Sequence, residues 1–412
     1  MYNTSHIPNQ QLEQKAKFMA SLKKLLQSQN WRAILVMIFA TGILSSPIYY
    51  HRIAVPVDTD YGSHVLYTQE MLDGKGLDPL NLSHPVLELI LAAMHLASGR
   101  NLGLYASLMV LQVLVQIFTV LILYFWFGQA ERKNWDWLRA GVAVSLTFVA
   151  PAMLLVFWDR LYYYGYIGLA NYHNPTIHLL KPFALLSFMY ASRAASGERS
   201  KWGSIALAAF WMILSAWIKP SYTLAILPAL GLVIGIRVLQ RIRIDWKMML
   251  FGFFLPGLLS LFFQWLIAYQ YGDPGEGIIF APFQVEGAYS HNLAIKFFLS
   301  ALFPLIILVI ARRSLLKDSN LLVGWTGFLM GAAQFYLLAE GGERMYHANF
   351  RWSGQIMLFL LFVVTARWLL KEKVLVSGMK LSEKVIGYGA YLAQLVGGVA
   401  YYLYCMTSIH YW

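Results

Sequence analysis

Ionisable side chains are concentrated in one stretch of this chain, residues 51–100, which follows the first long apolar segment. Carboxylates and imidazoles are the groups that most often transfer protons in enzymes. Polar groups at membrane depth are costly, so a cluster of them beside a bilayer predicts a functional site. This stretch therefore predicts a site of proton transfer or ion binding, which contains Asp58, Asp60, His64, Glu70, Asp73, Asp78, His84, Glu88 and His95.

Two aspartates and a histidine begin this stretch. In an extended segment Asp58 and Asp60 point the same way, whereas in a helix that begins near Asp60 the side chains of Asp60 and His64 share a face. We therefore predict Asp60, Asp58 and His64 as catalytic residues. A carboxylate here can act as the general base toward an acceptor hydroxyl or amide, or Asp58 and Asp60 together with the imidazole can bind a divalent cation such as Mg²⁺ or Mn²⁺. The alternative is that Asp60 is only the N-cap of a helix over 61–72.

A short apolar helix is predicted over residues 85–97, and its polar side chains form one stripe. On a helical wheel His84, Glu88 and His95 fall on the same side. The stripe predicts that the helix lines a wet cavity in which His84 and Glu88 bind substrate. The alternative is an amphipathic helix on lipid headgroups, which would carry the same stripe.

The segment from His173 to Lys181 has the signature of a helix start. Asn174 is a good N-cap, and Pro175 fits the first helical position. Helix N-termini attract anions, and His178 and Lys181 would share a face one turn further on. We therefore predict that His173, His178 and Lys181 bind a phosphate. Alternatively, Lys181 extends toward the membrane surface and His178 caps a neighbouring helix.

A second basic segment lies between two long apolar runs in the last quarter of the chain. Its Glu340, Arg344, His347 and Arg351 can clamp a phosphate or a pyrophosphate through charge-assisted hydrogen bonds. The alternative is that Glu343, Arg344 and Arg351 pair with each other on a solvated loop. Lys219 adds a cation at another helix start, where the alternative is a lysine that extends along the membrane surface.

The composition is that of a membrane protein. The chain has 412 residues, of which 58% are hydrophobic and 13% are charged, against a usual charged share of about 25%. The net charge is +12, but the basic residues flank apolar segments, as expected for cytoplasmic loops, so no nucleic-acid partner is predicted. The single cysteine, Cys405, excludes an internal disulfide, and no cleavable signal peptide is expected.

Eleven apolar segments approach the roughly 20 residues that a membrane-crossing helix needs. If residues 85–97 do not cross, most lysines and arginines fall on one side, which is then cytoplasmic. We therefore predict an all-α polytopic membrane protein with about 11 transmembrane helices and an interfacial helix over 85–97. The predicted spans are 33–50, 103–127, 138–157, 176–194, 203–218, 221–237, 248–270, 294–311, 321–338, 353–370 and 385–405.

This topology predicts three parts of the chain. They are a basic cytoplasmic segment over 1–32, a single helical membrane domain over 33–405, and a short outer tail over 406–412. Residues 51–102 would form the outer catalytic loop. No Gly-rich phosphate loop or Walker pattern is present.

The first outer loop resembles that of the GT-C superfamily, the polyprenyl-phosphate-dependent membrane glycosyltransferases. The resemblance rests on D-Y-G-x-H at 60–64, G-K-G-L-D-P at 74–79 and H-P-V-L-E-L-I-L-A at 84–92. It implies an all-helical fold with interfacial helices in the first outer loop. It also implies a catalytic aspartate, or an aspartate that binds a metal, which maps to Asp60 first and Asp58 second. Basic residues at outer helix ends would hold the lipid phosphate.

The function predicted from these features is transfer of a sugar from a polyprenyl-phosphate donor to a glycan, lipid or protein acceptor, with inversion at the anomeric carbon. The expected location is a bacterial inner membrane, with the active face on the periplasmic or extracellular side. Two alternatives stay open. One is a transporter or flippase of a lipid-linked sugar or anionic solute, and the other is an O-antigen-type polymerase.

Overall fold

Helices form nearly all of the described fold, which confirms the all-α fold class. The computed structural model describes residues 30–54, 59–76, 79–128, 134–270, 277–312, 314–375 and 380–410. The first helices are α1 (Trp31–Ala54), α2 (Tyr61–Leu72), α3 (Pro79–Leu82), α4 (Val86–Ala97), α5 (Leu104–Phe127), α6 (Trp135–Leu146), α7 (Val156–Asp159) and α8 (Pro175–Ala195).

The remaining helices follow in the same pattern of long apolar segments and short connections. They are α9 (Trp202–Ile218), α10 (Ser221–Leu239), α11 (Leu255–Trp265), α12 (Gln284–Tyr289), α13 (Leu293–Ser300), α14 (Leu302–Ile310), α15 (Ser319–Leu337), α16 (Arg351–Leu375) and α17 (Leu381–Thr407). π-Helical turns flank α11, over Met248–Phe254 and Leu266–Gln270, and a 3₁₀ helix covers Gly342–His347. The strands β1 (Ile278–Phe280) and β2 (Leu338–Glu340) pair antiparallel.

Several helices are compatible with an integral membrane protein. By length and composition, five helices in the described ranges could cross a membrane, or six if the bent pair α13 and α14 is one span. Each of the eleven predicted spans contains helix, but only these five or six meet both criteria. The five are Trp31–Ala54, Leu104–Phe127, Ser221–Leu239, Met248–Tyr269 and Gly342–Lys371.

The third predicted span, 138–157, differs from the expectation. Its helix ends at Leu146, and residues 147–155 are not helical. Pro151 has no N–H to donate to the carbonyl of residue 147, which weakens a helix at this point. The backbone N–H of Ala150 instead donates to the carbonyl of Gln394, at 3.2 Å. The non-helical segment is therefore held by α17.

The predicted span 294–311 is broken into two helices that meet at an angle of 64°. Pro304 has no N–H to bond the preceding turn, so the ladder is interrupted near Ser300. The buried side chain of Gln394 replaces the missing bonds. Its Oε1 accepts from the N–H of Phe303 at 2.8 Å, and its Nε2 donates to the carbonyls of Ser300 at 2.7 Å and Leu299 at 3.1 Å.

Helix α16 lies at the centre of the bundle. In the candidate span Gly342–Lys371, 94% of the most apolar window is buried, so α16 is surrounded by protein. It packs closely on α15, where a Cβ at Gly331 would lie 3.2 Å from the Cα of Gly354 and closer still to the Ser353 carbonyl. This helix begins at Arg351 and therefore fixes that arginine at the end of the core.

Candidate functional site

One cavity of about 680 Å³ collects most of the predicted site residues. Its walls are the start of α2, the turn before α4, the starts of α8 and α10, the end of the helix around Trp265, and the segment from β2 to α16. Sites of this size accommodate small organic ligands. The predicted residues that line it are Asp60, His64, His84, His173, Lys219, Glu340, Arg344, His347 and Arg351.

Asp60 lies at the N-cap position of α2, but its side chain does not cap that helix. Asn174 Nδ2 instead donates to Asp60 Oδ2 at 2.5 Å, and the N–H of Asp60 donates to the carbonyl of His173 at 2.9 Å. The alternative that Asp60 is only an N-cap is therefore correct for its position in the chain, but its side chain makes no capping hydrogen bond. The carboxylate is held at the cavity wall by a loop that is distant in sequence.

Asn174 caps α8, as the sequence predicted. Its Oδ1 accepts from the N–H of Ile177 at 3.0 Å and from the hydroxyl of Thr176 at 2.7 Å, and Pro175 occupies the first turn. Because Oδ1 binds the helix end, the Nδ2 donors point the other way, toward Asp60. The same amide thus fixes both the helix and the carboxylate.

Lys219 supplies a buried cation to this wall. Its Nζ donates to Thr176 Oγ1 at 2.9 Å and lies 4.8 Å from the centre of the Trp352 ring. Burial lowers the pKa of Lys219 to about 8, although the charges of Asp60 and Glu88 act in the opposite direction. Within the described ranges no carboxylate lies within ion-pair distance of this ammonium. The charge is therefore available to an anionic ligand.

Glu88 does not line the cavity, contrary to the stripe predicted for the helix of residues 85–97. It is 1% exposed, and its Oε1 lies 2.5 Å from His64 Nδ1. His64 stands between Glu88 and the cavity. His95, the third residue of the predicted stripe, hydrogen-bonds the carbonyl of Leu102 at 2.7 Å and takes no part in the cavity. A helical wheel predicts which residues share a side of the helix, but it does not predict which part of the protein packs against that side.

Two further histidines of the cavity are held in their neutral form. Burial, followed by the charge of Lys219, lowers the pKa of His84 to about 4. Burial also places the pKa of His173 well below its ordinary value, with Arg351, Arg52 and Lys219 acting in the same direction. Near neutral pH these two imidazoles can donate or accept hydrogen bonds, but they add no positive charge.

The predicted clamp around Glu340 is largely paired internally. Glu340 Oε1 accepts from Arg344 Nη2 at 2.5 Å and from the Tyr269 hydroxyl at 2.9 Å, while Oε2 accepts from Asn349 Nδ2 at 2.6 Å. The alternative interpretation was that Glu343, Arg344 and Arg351 pair with each other, whereas the observed partner of Arg344 is Glu340. Arg344 Nε is buried and makes no hydrogen bond to any described residue, so one donor remains for a ligand.

Arg351 forms the most buried ion pair of the cavity. Its Nε donates to Glu286 Oε1 at 2.8 Å, and both side chains are nearly inaccessible. The guanidinium lies between 5.1 and 5.6 Å from the ring centres of three tyrosines, Tyr163, Tyr164 and Tyr289. Arg351 Nη2 is buried without a hydrogen-bond partner in the described part of the chain. This donor is a second candidate for an anionic ligand.

His178 and Lys181 do not reach the cavity. His178 hydrogen-bonds the Tyr49 hydroxyl and the carbonyl of Asn171, and Lys181 Nζ donates to the carbonyl of Leu169 at 2.9 Å. One turn into α8 these side chains face the loop before the helix and the bundle core, because α8 is surrounded by protein. They brace that loop, and the phosphate site predicted on them is not assembled in this structure.

Asp58 lies outside the described residues, so its predicted role as base or ligand has no structural account. Among the residues that are described, no group of three His, Cys, Asp or Glu side chains could hold a metal ion. Asp60 Oδ2 is already occupied by Asn174. A divalent cation bound by Asp58 and Asp60 therefore stays a prediction.

Sequence reasoning missed the residues that support the site. Glu286 belongs to no pattern that the sequence analysis could use, and Asn174 was assigned only its cap. Trp352 was also not among the predicted site residues, nor were Tyr164 and Tyr289, whose rings stack 4.6 Å apart. Aromatic residues near a predicted arginine site are the signal that could have identified them.

Comparisons of this chain with family models, with curated proteins and with solved structures find no match.

Proposed function

We propose that this protein is a membrane glycosyltransferase that moves a sugar from a polyprenyl-phosphate donor to an acceptor hydroxyl. One observation carries the proposal: one cavity at the ends of apolar helices is lined by both proton-accepting groups and cations. Asp60 and His64 are the proton-accepting groups, while Lys219, Arg344 and Arg351 supply the cations. This is the combination that glycosyl transfer from a phosphate requires.

The cations would bind the phosphate and stabilise it as it leaves. Lys219 is not ion-paired among the described residues, and Arg344 Nε and Arg351 Nη2 are buried donors without partners there. Buried unpaired donors are costly, and an anion would satisfy them. Removal of one donor that stabilises developing negative charge costs about 10²–10³ in rate in known enzymes.

Direct displacement is the simplest chemistry for such a cavity. An acceptor hydroxyl that loses its proton to Asp60 or His64 attacks the anomeric carbon, and the bond from that carbon to the phosphate oxygen breaks. A single displacement inverts the anomeric carbon, whereas retention requires a second carboxylate as nucleophile. The proposal is therefore an inverting transferase of the GT-C type.

The proposed topology keeps eleven crossings, with the N-terminus in the cytoplasm and the cavity on the outer face of a bacterial inner membrane. Cysteine labelling tests it, because Cys405 is the only native cysteine and is buried. In a Cys405→Ser background, Glu343→Cys should react with a membrane-impermeant maleimide in intact cells, and Arg243→Cys should react only after lysis. The reverse pattern would overturn the orientation.

The function is tested with purified protein in nanodiscs and a polyprenyl-phosphate sugar as donor. The wild type should release polyprenyl phosphate when an acceptor is present, and native mass spectrometry should find a sugar-lipid adduct enriched in Asp60→Asn. The matched control is Asp136→Asn, an aspartate paired with Arg139 outside the cavity, which should keep activity. Equal adducts without a product would indicate a flippase, and absence of any lipid adduct would overturn the proposal.

A further inference from the structure

A buried carboxylate and imidazole meet behind the cavity wall. Glu88 Oε1 and His64 Nδ1 are 2.5 Å apart, and the two side chains are 2% and 11% exposed. The helices α2 and α4 that carry them pack side by side at this point. His64 is one of the residues that line the cavity, whereas Glu88 lies on the far side of the ring.

This contact fixes which nitrogen of His64 carries the proton. An ionised carboxylate only accepts hydrogen bonds, so His64 Nδ1 must be the donor. The other nitrogen, Nε2, makes no hydrogen bond to the described residues and belongs to a side chain of the cavity wall. The bond on one nitrogen thus sets the role of the other.

The neighbouring carboxylate of Asp60, unlike His64 Nε2, already has a hydrogen-bond donor. Asp60 Oδ2 accepts a 2.5 Å hydrogen bond from Asn174, and the positive charge of Lys219 acts on it. Asp60 Oδ2 is thus engaged by a donor that the cap of α8 fixes in place. His64 Nε2 has neither constraint and is the more available acceptor.

We propose that His64 Nε2 is the base that takes the proton of the acceptor hydroxyl, and that Glu88 is the positioning residue that holds His64 for this task. The inference rests on the proposed transferase function. The acceptor oxygen forms its bond to the anomeric carbon as its proton moves to Nε2. The phosphate leaves with the electron pair of the broken bond, and the imidazolium later returns the proton to water in the cavity.

In this mechanism Asp60 stabilises the positive charge that develops at the anomeric carbon and does not accept the proton of the acceptor hydroxyl. A carboxylate beside the anomeric carbon stabilises the positive charge of an oxocarbenium-like transition state. Asn174 and the N–H bond to His173 hold it in place. This division explains why a carboxylate with a strong donor lies next to an imidazole with a free nitrogen.

A double-mutant cycle tests the pairing in the turnover assay. His64→Gln should lower kcat by about 10²–10⁴-fold, the usual contribution of a general base, with little change in KM. Glu88→Gln keeps a hydrogen-bond acceptor without the charge and should lower kcat less. Glu88→Leu combined with His64→Gln should be no slower than His64→Gln alone, because Glu88 acts through His64. Additive losses, or wild-type turnover of either single variant, would overturn the inference.

A second measurement does not depend on activity. In ¹⁵N-histidine-labelled protein, the His64 resonances, assigned by their loss in His64→Gln, should show a protonated Nδ1 in the wild type. In Glu88→Leu that signature should be lost. A protonated Nδ1 with no glycosyl transfer in the wild type would leave the pair intact and refute the transferase. Active wild type with an unprotonated Nδ1 would refute only the role given to Glu88.

Discussion

Asp60 and Asn174 are 114 positions apart in the chain, and a hydrogen bond of 2.5 Å joins their side chains. The oxygen of the same amide caps α8 through Ile177. The bond therefore couples the start of α2 to the start of a core helix. Because an amide has one acceptor end and one donor end, the cap forces the donor end toward the carboxylate.

Asn174→Asp separates these two roles. Aspartate caps helices as well as asparagine does, so the melting temperature should change little through the cap. The new carboxylate would face Asp60 without a donor between them, and like charges at that distance disfavour each other. We expect turnover to fall by about 10²-fold, the lower end of losses seen when one donor is removed from a charged site, as measured in the nanodisc assay.

Asn174→Ala is the companion variant, because it removes both roles. It should show the same loss of turnover and in addition a loss of stability of about 1 kcal/mol from the missing cap. Wild-type turnover in Asn174→Asp would mean that the orientation of Asp60 is not needed for activity.

Lys219 predicts a pH dependence of anion binding. Its pKa is lowered by burial to about 8, so the side chain is mainly charged at pH 7 and mainly neutral above pH 9. A polyprenyl monophosphate keeps its charge over this range, since its second pKa is about 6. The affinity should therefore fall about 10-fold or more between pH 7 and pH 9.5, because a charge-assisted hydrogen bond contributes about 1.5–3 kcal/mol. Isothermal titration calorimetry in detergent measures the affinity for polyprenyl phosphate at each pH.

Lys219→Arg supplies the control for this prediction. Arginine stays charged throughout the range, so the fall in affinity with rising pH should disappear even if the affinity at pH 7 changes. A variant that keeps the wild-type pH profile would show that another group controls binding.

Local patterns in the sequence were sufficient for the helices and for one wall of the site. The start of α8 at Pro175 follows from the cap residue and the proline, and the helix over 61–72 has the predicted bounds. The spacing of Asp60 and His64 predicted a shared face, and both line the cavity. These features depend on residues within one turn of each other, where sequence carries the information.

Features that depend on distant partners could not be predicted. The contact of His64 with Glu88 joins two helices, and the placement of Lys181 against the carbonyl of Leu169 depends on how a loop folds back. The breaks in the third and eighth predicted spans were missed because an apolar run says nothing about which group will satisfy an interrupted backbone. In the eighth span the partner is the side chain of Gln394, and in the third it is the backbone carbonyl of the same residue.

Gln394 is expected to be a large determinant of stability. Gln394→Leu would leave the Phe303 N–H and the Ser300 carbonyl without these partners, while the Leu299 carbonyl keeps its hydrogen bond from the Ala152 N–H. Each buried polar group left unpaired costs about 1–3 kcal/mol. We expect a clear decrease in the melting temperature in detergent. The matched control is Gln116→Leu, a buried glutamine whose Nε2 has no partner in the described ranges, for which a smaller decrease is expected; equal losses would contradict the assignment.

Two glycines on α17 provide the last test, because they lie on one helix and differ only in what they face. A Cβ at Gly398 would overlap the carbonyl oxygen of Phe148, in the non-helical segment after α6, whereas a Cβ at Gly389 meets nothing within 4 Å. Glycine inside a helix costs up to about 1 kcal/mol relative to alanine. Gly389→Ala should therefore leave the stability unchanged or raise it by that amount. Gly398→Ala should lower the melting temperature, because a backbone oxygen cannot rotate away from the new methyl group and α17 must shift instead. We expect a loss of stability of about 1–3 kcal/mol, which is typical of overpacking. Thermal unfolding of both variants decides the matter: a stabilised Gly398→Ala would mean that the segment after Leu146 is not held against α17 and that the third span is a continuous helix.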